Sequence, residues 1–189
     1  MSRKRLEEAV AHVRKAEEVD PLSVVVLTNV GWTLAAAGRT AGAIDAYRKA
    51  LALDPNYVQA HWRLSDAYLQ LGRFDEAMSE LETAVTLSRR SPSSLAWLAM
   101  ASARSGRRAD AEALLAELLA LTSRRYVSPF GIAKTYFVLG DRDRGFKWLE
   151  KAYTERSNGV AYLAVDPTYA SVRTDPRFRD VLRRARLPQ

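Results

Sequence analysis

The sequence contains no cysteine and only two histidines, His12 and His61. A disulfide framework and thiolate chemistry are therefore excluded, and neither histidine has cysteines or carboxylates around it at metal-ligand spacing. No apolar run approaches the roughly 20 residues that a membrane-spanning helix needs. The opening MSRKRLEEAVAHVRKAEEVDP is basic, then amphipathic and charged, unlike a secretory leader, so the cytoplasm is the expected compartment. With 7 prolines and 9 glycines in 189 residues, against 48% hydrophobic residues, the chain has the composition of a folded protein. Gly-rich phosphate loops, nucleophile elbows and H-E-x-x-H pairs do not occur. The nearest carboxylate pairs, Asp75/Glu76 and Glu80/Glu82, fall on helix exteriors or in a turn. No catalysis, cofactor or metal is expected.

What is present is a period. Glycine closes an apolar helical stretch at Gly38 and again at Gly72, Gly106 and Gly140, each 34 residues after the last. Other columns keep the same register. Five places after the glycine stand Ala43, Ala77, Ala111 and Gly145, all small; nine places after it stand Tyr47, Leu81, Leu115 and Leu149, all large and apolar. Seven places before it stand Gly31, Ser65, Ala99 and Ala133. Small columns let antiparallel helices approach closely, and large columns fill the space beside them. Self-similarity at this length is the mark of stacked helix–turn–helix units.

These columns resemble the tetratricopeptide repeat family, most fully in VVVLTNVGWTLAAAGRTAGAIDAYRKALALDPNY, Val24 to Tyr57. The resemblance implies an all-α fold: a right-handed superhelical solenoid of antiparallel helix pairs, with a C-terminal helical cap. The expected units are a half-repeat at 1–21 (second helix only), repeats at 24–57, 58–91, 92–125 and 126–159, and capping helices at 160–189. A second helix without its partner leaves apolar surface uncovered, so the chain is expected to be the end of a longer protein or to be closed by a half-repeat cap. In the tail, Asp166-Pro167 and Asp175-Pro176 each place an N-cap acid before a proline. They predict short helices near Thr168–Arg173 and Pro176–Ala185.

The resemblance further implies that first helices line a concave binding face. Its inward columns hold Asn29 and Trp32; then Trp62, Arg63 and Asp66; then Trp97, Met100 and Arg104; then Phe130, Lys134 and Phe137. Aromatics and arginine dominate interface energetics. The expected function is a non-catalytic protein-interaction scaffold for a peptide or partner segment with acidic and apolar residues. His61 is expected to pack or to form a local hydrogen bond. Two alternatives stay open. The block from Val127 to Leu187 resembles the C-terminus of repeat modules in bacterial signalling proteins, attached to kinases, adenylate cyclases or winged-helix regulators, which implies a regulatory or ligand-sensing domain. A rim of Arg39, Arg73, Arg107, Arg108, Arg142 and Arg144, in a chain of net charge +7, could instead meet nucleic acid.

Overall fold

The computed structural model describes residues 3–164 and 166–188, and within them all regular structure is helical. Two compact units divide the chain at Arg90/Ser91. The first holds α1 (Arg3–Val19), α2 (Val24–Ala36), α3 (Thr40–Leu53), α4 (Val58–Gln70) and α5 (Phe74–Leu87). Helix α1 packs on α2, the pairs α2/α3 and α4/α5 form hairpins, and α4 lies against both α3 and α2. The second unit holds α6 (Pro92–Arg104), α7 (Arg108–Leu121), α8 (Pro129–Val138), α9 (Arg142–Thr154) and α10 (Pro176–Arg184). Two 3-10 segments, Asn158–Tyr162 and Pro167–Val172, separate α9 from α10. Here α6/α7 and α8/α9 are the hairpins, and α6 lies against α8.

The repeated turn has one mechanism. At Gly38, Gly72, Gly106 and Gly140 the backbone takes φ between 70° and 83°, a left-handed conformation that a side chain disfavours. The following amide then reaches back five residues: Arg39 to the Leu34 carbonyl at 2.8 Å, Arg73 to Tyr68 at 2.9 Å, Arg107 to Ser102 at 2.9 Å and Asp141 to Tyr136 at 3.0 Å. Each bond satisfies a carbonyl that the ending helix leaves open and reverses the chain into the next helix. Helices α6, α8, α10 and the second 3-10 segment start instead with proline in the first turn, where the missing N–H is not needed.

The sequence columns are the core. Ala43, Ala77, Ala111, Tyr47, Leu81, Leu115 and Leu149 are all buried, as are Ala99 and Ala133. Their sizes compensate within each hairpin. The repeat with the bulky Tyr47 has Gly31 opposite, and a Cβ built there would lie 2.4 Å from the tyrosine ring. The repeats with leucine in that column carry Ser65, Ala99 or Ala133 instead.

The tail closes the second unit. Leu163, Tyr169, Val172, Phe178, Val181 and Leu182 join Phe137, Phe146 and Leu149 in one buried cluster. Tyr169 stacks on Phe178, with ring centroids 5.4 Å apart, and meets Phe137 edge-on at 5.5 Å. From outside, Arg184 grips Glu150 and Arg177 bonds Asp143 at 2.8 Å, tying α10 to α9. The predicted last helix is α10. The predicted Thr168–Arg173 helix is the second 3-10 segment, and the Asn158–Tyr162 turn had no counterpart among the expected helices.

Candidate functional site

The inward columns divide between the two units. In the first, α2 presents Asn29 and Trp32 to solvent, the indole retaining 44% of its surface. The Arg63 guanidinium from α4 lies 5.5 Å from the centroid of that indole. Trp62 and Asp66, also on α4, are half-buried, and the Asp66 carboxylate accepts from the Gln70 amide at 3.1 Å. This is an exposed aromatic–cation pair.

In the second unit α6 and α8 enclose a pocket. Its residues are Ser93, Ala96, Trp97 and Met100 from α6, with Ser128, Phe130, Gly131 and Lys134 at and along α8. Its volume is about 190 Å³. The two helices approach closely beneath it because Gly131 faces Ala96: a Cβ on the glycine would sit 2.9 Å from the alanine methyl. Trp97 and Phe130 line it together with two serines, and the Lys134 ammonium stands 5.6 Å from the Trp97 ring centroid and 6.0 Å from that of Phe130.

Lys134 is not free to meet a partner's charge. Its ammonium bonds the Asp166 carboxylate at 2.8 Å, with the two side chains only 16% and 15% exposed. Asp166 belongs to the tail and also caps the second 3-10 segment, accepting from the Thr168 amide at 2.9 Å. Burial pushes its carboxyl pKa upward, but the Lys134 charge and hydrogen bond and the Thr168 bonds outweigh this and hold it below the ordinary value.

Two expected contact residues are buried. Phe137 is 4% exposed because Phe146 and Tyr169 enclose its ring, so it is core and not an anchor for a partner. Met100 is 3% exposed; it lines the pocket but offers no free surface. Arg104 is half-buried at the end of α6. Conversely, the inward columns did not single out Ala96, Gly131, Ser93 or Ser128, which shape the pocket. Nothing in them pointed to Asp166 as the partner of Lys134, although the close Ala96–Gly131 approach belongs to the same small-residue logic as the repeat.

Five of the six arginines of the expected rim make contacts that are visible within their own unit. Arg39 pairs with Glu7 at 2.6 Å, Arg108 with Glu112 at 2.8 Å and Arg144 with Asp141 at 2.6 Å. Arg73 pairs with Glu76, and Arg142 donates to the Ser171 carbonyl at 3.2 Å. Arg73 and Arg144 also lie over the rings of Tyr68 and Tyr136. His61 bonds the Pro55 carbonyl six residues back, the local hydrogen bond expected of it, and also reaches across to the Glu80 carboxylate on α5. Among the described residues no group of three or more His, Asp or Glu is placed to hold a metal ion, and no helix is long and apolar enough to cross a membrane.

Stacked antiparallel hairpins, each closed by a left-handed glycine, define a helical-repeat protein. Two stretches, residues 34–93 and 92–117, match tetratricopeptide repeat families. Solved structures of the same fold include a tetratricopeptide repeat protein from Parabacteroides merdae (TM-score 0.69, 19% identity, 97% of this chain and 72% of that one). A thermophilic TPR protein of Thermus thermophilus is also similar (TM-score 0.67, 23% identity, 95% and 91%). So is YrrB, described as a TPR protein with an unusual peptide-binding site (TM-score 0.52, 19% identity, 92% and 90%). Among curated proteins, the peroxisomal targeting signal receptor of Kluyveromyces lactis is 36% identical over 74 residues, 39% of this chain and 13% of the receptor. The TPR repeat-containing thioredoxin TTL4 of Arabidopsis thaliana is 35% identical over 74 residues, 39% of this chain and 11% of that protein. The chain thus spans only a small fraction of the curated relatives it matches.

Proposed function

We propose that the protein is a non-catalytic interaction module, and that the α6–α8 pocket receives an apolar side chain from a partner's extended or helical segment. The observation that carries this reading is the pocket itself. It is partly open, walled by Trp97 and Phe130, and lies on the helices that correspond to the inward columns of the repeat. Buried aromatic anchors in such pockets concentrate binding energy. A peptide partner is in keeping with the fold, since YrrB, which shares it, is described by its peptide-binding site. In the first unit, the exposed Trp32–Arg63 pair suits an acidic or aromatic residue of a partner.

The test is selection of a displayed random-peptide library against the full chain. Peptides that bind should lose affinity by about 30-fold or more when Trp97 becomes alanine, the effect of removing a hot-spot aromatic. Selected peptides that bind Trp97→Ala as tightly as the unaltered protein would place the interaction surface elsewhere.

A further inference from the structure

The pocket and the tail together define which side chain can enter. Among the described residues that line the pocket, Lys134 is the one cation, and its charge is already matched by Asp166. That match is fixed by the core. Three residues before Asp166, Leu163 is fully buried, and three residues after it, Tyr169 is fully buried. Upstream, Gly159 lies so close to Phe130 that an added Cβ would fall within 2.2 Å of the ring, so the tail also backs one pocket wall. The backbone at Asp166 is thus anchored on both sides, and the Thr168 amide and Lys134 each hold one of its carboxylate oxygens.

We propose that the α6–α8 pocket selects an uncharged ring-bearing or branched aliphatic side chain, and that Asp166 is the residue that excludes carboxylates from it. This rests on the pocket reading above and revises the acidic partner that the sequence led us to expect at Lys134. A carboxylate entering beside Lys134 meets an ammonium already shared with a second carboxylate. It loses its hydration and gains little net attraction. A neutral ring meets the Trp97 and Phe130 walls and has no charge to desolvate. The volume suits one such group, since an apolar cavity of about 150 Å³ accepts a benzene ring.

A matched pair of probes tests this on the full chain: N-acetyl-para-fluorophenylalaninamide and N-acetyl-para-fluorophenylalanine, which share the ring and differ in a carboxylate. Binding is followed by fluorine NMR line broadening. The amide should bind the unaltered protein, and Trp97→Ala should abolish that binding. The free acid should bind about tenfold more weakly, because its carboxylate gives up hydration against a charge that is already paired. Asp166→Asn keeps a side-chain oxygen for the Thr168 amide, and should move the acid-to-amide ratio about tenfold toward the acid. Adding Lys134→Met to Asp166→Asn should reverse that gain.

If the unaltered protein takes acid and amide equally well, the exclusion is overturned from that measurement alone, whatever the variants do. If the ratio ignores Asp166→Asn in a protein whose melting curve shows it folded, Asp166 is not the filter, while the pocket stands. If the amide does not bind the unaltered protein, the pocket reading itself falls.

Discussion

Replacing His61 by phenylalanine, and following stability against pH, probes the join between the first unit's two hairpins. The imidazole is buried on α4 with an acceptor at each nitrogen. Nδ1 is 2.6 Å from the Glu80 carboxylate on α5, and Nε2 is 2.8 Å from the carbonyl of Pro55, in the turn after α3. A neutral imidazole carries one N–H, so only the imidazolium donates to both. Burial draws the pKa down, but the Glu80 hydrogen bond, the Pro55 carbonyl and the charges of Glu80 and Asp54 outweigh it, leaving the pKa above its ordinary 6.5. A group raised on folding contributes fully below its unfolded pKa and loses that contribution as pH climbs through the folded value. At pH near 6, His61→Phe should therefore cost about 1.5–3 kcal/mol, the worth of a hydrogen bond to a charged group. Toward pH 9 the deficit should shrink to about 1 kcal/mol, the one neutral bond that remains. Urea unfolding followed by circular dichroism, on both proteins at each pH, measures the deficit directly. A deficit that is unchanged or larger at pH 9 would refute the imidazolium account.

Gly31→Ala should destabilise the first hairpin by about 1–3 kcal/mol through overpacking against Tyr47, despite alanine's better helix propensity. Adding Tyr47→Leu recreates the alanine–leucine pairing found at Ala99/Leu115 and should recover much of the loss, as a double-mutant cycle would show. The Tyr169 hydroxyl is buried with no hydrogen-bond partner among the described residues. Tyr169→Phe should accordingly leave stability unchanged or raise it by up to about 1 kcal/mol, and a lower melting temperature would reveal a partner for the hydroxyl.

Most of the fold was legible because a period is a redundant signal. The last helix ends within one residue of expectation, and left-handed glycines mark every hairpin turn. The site was legible only in part. Column position tells which side of a hairpin a residue faces, and it placed Trp97, Phe130 and Lys134 together. It does not tell what the non-repeating tail covers. Phe137 and Phe130 both occupy inward columns, yet Phe146 and Tyr169 bury the first and leave part of the second at the pocket. The Lys134–Asp166 pair joins a periodic element to an aperiodic one, and no spacing rule connects the two. Asp166 was read correctly as a cap, because capping is local; its second role is not.

The tail's place in the buried cluster has a practical consequence for anyone trimming the protein. Cutting after α9 would strip Tyr169 and Phe178 from Phe137 and Phe146, and remove Asp166 from Lys134. What remained would expose a sticky aromatic surface beside an unmatched charge. A shortened version meant to display the Trp97 pocket in its natural form has to run at least through Leu187, whose amide still bonds the Leu182 carbonyl.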